Sequence, residues 1–188
     1  MTRRPRLILG WLLALVVIAI FARLGVWQSQ RAVEKQTMLD EAAQVLAARQ
    51  PVGLEAAADP QRRARYEWAR GTGEFADGAQ WLLDNQQRDG RVGVRAYRVF
   101  VPDQGIPLLV DLGWLPVAGD RAMPTVERPT GRIALEGLLA PPPSGGIALG
   151  AGMARESGGW LMLRVELPAI SAAAGTPLAA RVLRLDPA

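Results

Sequence analysis

Cysteine and histidine are both absent from the 188 residues of this chain. Without cysteine, the protein has neither a disulfide framework nor a thiol nucleophile. Without histidine, it lacks the commonest general base, the commonest zinc ligand and the usual axial ligand of haem iron. We therefore expect no thiol chemistry and no metal site built on imidazole.

Lysine is almost absent as well, because Lys35 is the only one and the other basic residues are arginines. Residues 1–35 hold six basic residues and one acidic residue, whereas the rest of the chain holds 16 basic and 17 acidic residues. The net charge of +4 therefore belongs to the N-terminal end. A nucleic-acid-binding domain needs a basic face of its own, so we expect no nucleic-acid partner.

Groups of residues typical of catalysis are also missing. The carboxylate pairs Asp84 with Asp89 and Asp103 with Asp111 have no spacing that singles out a glycosidase, and we interpret them as charged loop residues. The glycine-rich stretch around Gly150 lacks the lysine of a phosphate-binding loop. We predict that the protein is not an enzyme.

One long apolar run stands near the N-terminus. Leu7–Ala22 contains no charge, and after Arg23 the run continues to Trp27. A helix of residues 7–27 is about 31 Å long, which matches a hydrocarbon core of about 30 Å. Trp11 and Trp27 lie near its two ends, where aromatic belts form. We predict a transmembrane helix over residues 7–27.

Three arginines precede this run, at Arg3, Arg4 and Arg6. The positive-inside rule places residues 1–6 in the cytoplasm and the C-terminal domain outside it. The alternative is a cleaved signal peptide, which needs small residues at a cleavage site soon after the run. The run leaves through Phe21-Ala22-Arg23-Leu24, so we favour an uncleaved anchor.

A helical pattern continues over residues 28–50 and predicts a juxtamembrane amphipathic helix that ends before Pro51. At about 100° per residue, Trp27, Gln28, Arg31 and Lys35 share one arc of about 100°. Two interpretations of this face stay open. It anchors the helix at the lipid headgroups, or it binds an anionic group, for which the planar fork of arginine is well suited.

Residues 51–188 read as a β-rich domain. Residues 51–64 are predicted to be a connector, and residues 141–159 a long loop that is either a mobile lid or disordered. Between and after them we predict strands near 66–75, 81–85, 93–101, 108–112, 133–139, 160–166 and 182–185, a turn at Asp89-Gly90 and a short helix over 168–175. The predicted fold class is α+β, with a mainly antiparallel β-barrel or sandwich-like domain after the helix.

Several motifs follow one another in a set order. They are Leu24-Gly25-x-Trp27-Gln28-x-x-Arg31-x-x-x-Lys35; Gly71-x-Gly73-x-Phe75 with Leu83-Asp84-Asn85 and Gly90; Leu109-Val110-Asp111-Leu112-Gly113-Trp114-Leu115-Pro116; Ile133 to Pro142; and Trp160 to Gly175. In this order, from about Leu24 to the end of the chain, they resemble the Surfeit locus protein 1 (Shy-one) family.

The resemblance implies a membrane-bound assembly factor for haem–copper (cytochrome c) oxidase, which helps to deliver or hold haem a while the large subunit matures. It implies the bilayer and the large subunit or other assembly factors as partners. It also implies a domain on the periplasmic or intermembrane-space side of the membrane. Of the two, we expect the bacterial inner membrane, with the domain in the periplasm, over the mitochondrial inner membrane. The candidate binding face for haem a or a partner is Trp27, Gln28, Arg31 and Lys35. The structural motif residues are Leu24, Gly25, Gly73, Phe75, Asn85, Gly113, Trp114 and Pro116.

The chain departs from the family in two places. Leu112 stands where the family usually has an arginine, so no role of that arginine carries over. The family also continues into an arginine–histidine pair and a second transmembrane helix, whereas this sequence ends at Ala188. Either the sequence is truncated, which we expect, or it is a divergent one-helix form. Without histidine, we expect transient rather than tight, fully ligated haem.

Two other functions stay open at this stage. An anchored, extracytoplasmic β-barrel could bind a lipid or another hydrophobic ligand. The chain could also be a structural subunit of an envelope complex, bound through its helix.

Overall fold

We analysed a computed structural model of the chain, which describes residues 3–118, 122–143, 152–156 and 158–185. The chain divides into two compact units, residues 1–44 and residues 45–188. Each unit is described by itself below, and we call residues 45–188 the head.

The N-terminal helix, α1, runs without a break over Arg3–Ala48. It contains an apolar segment long enough to cross a membrane, with a mean hydropathy of 2.6, and none of that segment is buried. Its 46 residues make a helix about 69 Å long, roughly twice the thickness of the hydrocarbon core. A single helix thus contains the predicted span and the predicted amphipathic segment, and the boundary between them stays a prediction.

Helix α1 ends at an arginine in the left-handed conformation. Arg49 has a φ of 43°, and its N–H donates to the Val45 carbonyl at 2.8 Å. Glycine is the usual residue at such a position, because a Cβ atom is disfavoured there. The guanidinium of Arg49 stacks 4.8 Å from the ring centroid of Trp68, an interaction that offsets part of this backbone cost.

Within the described residues, the head contains a nine-stranded mixed sheet. The strands are β1 Val52–Gly53, β2 Glu67–Phe75, β3 Gln80–Arg88, β4 Arg91–Pro102, β5 Leu108–Pro116, β6 Ile133–Ala140, β7 Met153–Glu156, β8 Gly159–Met162 and β9 Val182–Leu185. A short helix, α2, spans Leu167–Ala174. The pairs β1–β2, β3–β8 and β5–β9 are parallel and the others antiparallel, so the α+β class is confirmed.

Strand β2 changes partner along its length. It pairs with β6 over residues 67–73 and with β4 over residues 73–75. Since β6 continues to β9, β5 and β4, the strands β2, β6, β9, β5 and β4 are hydrogen-bonded in a closed ring. Strands β3, β8 and β7 extend the sheet from β4.

Two apolar clusters lie on opposite faces of β5. Leu108 and Val110 belong to a cluster with Phe100, whereas Leu109 packs with Tyr97 and other residues in the second cluster. This alternation follows from the two-residue period of a strand. It explains why the apolar run at 108–112 is almost continuous, as in a strand covered on both faces.

The structure corrects the sequence prediction in three places. Residues 51–64 are not a plain connector, because β1 and the 3₁₀ helices Leu54–Ala58 and Pro60–Arg62 lie there, with Leu54 in the core. The loop predicted at 141–159 contains β7, while residues 144–151 and 157 lie outside the described residues. The strand predicted over 160–166 ends at Met162.

Candidate functional site

The candidate face on α1 consists of Trp27, Gln28, Arg31 and Lys35. Because α1 is helical throughout this segment, the four residues do share one arc of about 100°. All four are exposed, and Trp27 keeps 52% of its accessible surface. An aromatic ring, an amide and two cations therefore project from one side of the helix.

The hydrogen bonds formed by side chains of this helical segment lie on the other side. Gln36 donates to Asp40 Oδ1 at 2.9 Å, and Thr37 donates to the Val33 carbonyl at 3.1 Å. These residues are centred about 180° from the candidate face. Within residues 3–118, the side chains of the candidate face form no hydrogen bonds of this kind. Their polar groups therefore remain available to a ligand.

Leu24 and Gly25 precede this face. Leu24 is exposed, and a Cβ atom added to Gly25 would meet nothing within 4 Å. The helix itself therefore does not require glycine here, although glycine costs about 1 kcal/mol relative to alanine in a helix. Small residues in membrane helices allow another helix to approach closely.

In the head, Gly73 lies at the point where β2 changes partner. A Cβ atom at this position would lie 2.2 Å from the Val101 carbonyl oxygen and 2.7 Å from the Cα atom of Pro102. Only glycine permits this approach of β2 to β4. Two residues further on, Phe75 packs edge-to-face on Phe100, with ring centroids 5.2 Å apart.

Asn85 lies at an irregularity of β3. The register of β3 against β4 shifts between Leu83 and Gln86, and Asn85 adopts a φ of 57°. Asparagine tolerates this left-handed conformation better than most residues other than glycine. Asn85 thus permits the irregularity in β3.

The segment Gly113-Trp114-Leu115-Pro116 forms the end of β5 rather than a stop after Leu112. The register of β4 against β5 shifts at Ala96, opposite the extra residue Leu112, and Gly113 has a φ of 110°. Trp114 Nε1 donates to the Gln86 carbonyl at 3.3 Å, and Pro116 ends the strand. Leu112 packs against core residues.

Asp111 is the polar residue that the sequence interpretation misplaced. Its side chain is 2% exposed and accepts from Arg95 Nη1 at 2.7 Å, and its Oδ1 accepts from the Gly113 N–H at 3.0 Å. It is therefore a buried residue of β5, not a charged loop residue. A charge within the apolar run 108–112 was the signal that could have shown this.

Burial governs the titration of this cluster. It raises the pKa of Asp111, against the opposing effects of Arg95 and the Gly113 hydrogen bond. It also raises the pKa of Tyr97, with the charge of Asp111 as the second cause. Asp111 therefore supports the bulge in β5, because it contacts both Arg95 on β4 and the Gly113 N–H beyond the extra residue Leu112.

A second buried charge cluster ties the 3₁₀ segment to the sheet. Arg181 is fully buried and donates to Glu67 Oε2 at 2.6 Å and to the Ala56 carbonyl. Glu67 also accepts from Arg62 at 3.3 Å. No local signal in the sequence predicts this pair, because its members lie 114 positions apart.

A polar cleft in the head has a volume of about 320 Å³. Its lining includes Glu55, Arg70, Asp103 and Arg132. Asp103 accepts from Arg132 at 2.5 Å and from the Thr72 hydroxyl. Because the lining holds two carboxylates and two guanidinium groups, and Asp103 is paired with Arg132, this cleft carries no clear preference for an anion or a cation.

A long apolar helix followed by a nine-stranded mixed sheet defines an α+β protein with a helix suited to membrane anchoring. The model of the SURF1 family matches residues 15–188, almost the whole chain. The protein therefore belongs to the SURF1 family, whose members are cytochrome c oxidase assembly factors. This confirms the family that the motifs resemble. None of the curated proteins matches the chain.

Proposed function

We propose that this protein assists cytochrome c oxidase assembly by holding haem a, or the subunit that receives it, at the face formed by Trp27, Gln28, Arg31 and Lys35. The observation that carries the proposal is the shared arc of these four exposed side chains on α1. Family membership supports the role in assembly. The haem a step, which the resemblance implies, is part of the proposal.

The chemistry of the face fits a flat cargo that carries carboxylates. Arg31 can bind a carboxylate through two parallel hydrogen bonds, and Lys35 adds a compact positive charge one helical turn away. Trp27 offers a flat apolar surface. Because residues 1–188 contain no histidine, we propose that these residues hold haem a through its carboxylates and its ring.

The placement follows from the same helix. We propose that residues 7–27 cross the bacterial inner membrane, with residues 1–6 in the cytoplasm and the head in the periplasm. The closed ring of five strands supports a barrel as the core of the head. We further propose that the protein binds and positions its cargo without catalysing a reaction.

The test is complementation of a host that lacks the gene, with oxidase activity and membrane haem a content as readouts. The variant Arg31→Gln/Lys35→Gln removes both cations. The matched control Arg31→Gln/Gln36→Arg keeps the net charge but moves one cation about 140° around the helix. Immunoblots of membranes check that each variant is inserted in equal amounts.

We expect both variants to lower oxidase activity and haem a content, since each removes the carboxylate partner from the face. Headgroup attraction needs only charge near the surface. If the charge-conserving control restores full activity, the face acts as a lipid anchor and the haem a proposal is wrong. An unchanged haem a content in the gene deletion would also contradict it.

A further inference from the structure

A second cleft in the head has a volume of about 120 Å³, and its lining includes none of the eight structural motif residues named above. It is bounded by the turn after β2, by the strands β3, β4 and β8, and by the end of α2. Arg98 forms part of its lining, together with Trp81, Trp160, Ala173 and Ala174. Its walls therefore combine one cation with aromatic and small apolar side chains.

Arg98 is buried without a carboxylate partner in the described part of the chain. Its side chain donates to two neutral acceptors, the carbonyls of Gly78 at 3.3 Å and Val126 at 2.5 Å. Its Nε is buried and has no hydrogen-bond partner among the described residues. Buried cations are normally paired, so the positive charge here lacks the compensation that its burial calls for.

A second cation, Arg128, lies near Arg98. Burial, and then repulsion from Arg128, lower the pKa of Arg98. The carboxylate in the lining is Asp77, whose side chain is 93% exposed and lies 2.9 Å from Arg128. Asp77 thus forms an ion pair with Arg128, and its carboxylate lies in solvent.

The apolar side of the cleft is ordered by a stack of aromatic rings. Trp81 and Trp160 are parallel within 5°, with ring centroids 5.6 Å apart. Arg155 lies 5.7 Å from the ring of Trp160. The methyl groups of Ala173 and Ala174 leave the space between α2 and this stack open.

We propose that this cleft binds the anion of a small aliphatic carboxylic acid, with the carboxylate towards Arg98 and the alkyl chain against Trp81 and Ala174. The volume suits a molecule of a few heavy atoms. A carboxylate supplies the charge that Arg98 lacks, and a hydrogen bond between a carboxylate and a guanidinium is stronger than one between neutral groups. This site is independent of the function proposed for α1.

The test is calorimetric titration of the full chain in neutral detergent with butyrate, and with butyramide as the uncharged analogue of the same shape. We expect saturable binding of butyrate and at least about tenfold weaker binding of butyramide, because the carboxylate forms a charge-assisted hydrogen bond with Arg98 in which both groups are charged, and the amide does not. Equal affinities for the two compounds, or no saturable binding of butyrate, would overturn the proposal.

Two variants locate the binding without relying on Arg98, whose replacement could disturb the fold. Ala174→Leu places a larger side chain in the cleft, and Ala172→Leu adds the same side chain to α2 at a position outside the lining. Both alanines are exposed, so we expect both variants to fold. We expect Ala174→Leu to lose butyrate binding and Ala172→Leu to keep it. The same affinity in both variants would place the binding elsewhere and contradict the assignment.

Discussion

Arg181 is fully buried, and its replacement by methionine tests whether the second charge cluster holds the head together. The variant removes the partner of Glu67 and a donor to the Ala56 carbonyl. Removing one member of a buried ion pair costs about 3–5 kcal/mol. Glu67 keeps Arg62 at 3.3 Å and is 18% exposed, so we expect the lower end, about 3 kcal/mol.

The reverse change should cost more. Glu67→Leu leaves the Arg181 side chain, which has no exposed surface, without its carboxylate partner among the described residues, and we expect a loss of about 4–5 kcal/mol. Methionine and leucine together remove both charges. We therefore expect the double variant Glu67→Leu/Arg181→Met to be more stable than Glu67→Leu alone, because two apolar side chains replace a buried pair at little cost.

The measurement is urea unfolding of the full chain in a neutral detergent, followed by tryptophan fluorescence. Four of the six tryptophans lie in the head, at positions 68, 81, 114 and 160. A loss of about 3 kcal/mol also predicts a melting temperature lower by about 6–12 °C. The control Arg88→Met removes an arginine that is 63% exposed and should change stability by less than about 0.5 kcal/mol.

The result that would refute this reasoning is specific. If Arg181→Met costs less than about 1 kcal/mol, the buried arginine is not needed to tie the 3₁₀ segment to β2. If the double variant loses the sum of the two single losses, Glu67 and Arg181 act independently, and the contact between them does not stabilise the head.

Five further variants, at three motif positions of the head, are tested by the same unfolding assay. Asp111→Asn keeps an acceptor for the Gly113 N–H and should change stability by about 1 kcal/mol or less, whereas Asp111→Ala should cost about 2–3 kcal/mol. Burial raises the pKa of Asp111, so the contribution of Asp111 to stability is full below its unfolded pKa and is lost as the pH rises through its folded pKa. Asp111→Asn should remove this pH dependence of stability. An unchanged pH profile in this variant would contradict the reasoning. Gly73→Ala should cost about 2–3 kcal/mol, since its Cβ atom would overlap a carbonyl oxygen; a neutral effect would show that β2 and β4 can move apart. Asn85→Val should cost about 1–2 kcal/mol and Asn85→Gly almost nothing, and equal losses would mean that the amide side chain matters more than the backbone conformation.

Local signals in the sequence were sufficient for much of the fold. The apolar run that begins at Leu7 predicted the helix, because a charge-free stretch of this length is typical of a helix that spans a membrane. The pair Asp89-Gly90 predicted the turn between β3 and β4, and both residues have positive φ. Most strands were located to within a few residues for the same reason, since the two-residue period is a local property.

The sequence alone did not show the bulges at Leu112 and Asn85 or the extent of β5 to Pro116. A bulge depends on how a strand meets its partner, and the partner of β5 is chosen by the register of the whole sheet. The 3₁₀ segment after Pro51 was missed because its apolar residues form no period long enough to be recognised. It is ordered by packing of Leu54 in the core.

The sequence by itself determined the helix, its polar face, the order of the strands along the chain and the family. Only the tertiary structure decided which strands are neighbours, where the ring closes at Gly73, and which charges are buried. The reason is physical. Pattern and turn chemistry act over a few residues, whereas the environments of Asp111, Arg98 and Arg181 are created by segments that meet from distant parts of the chain.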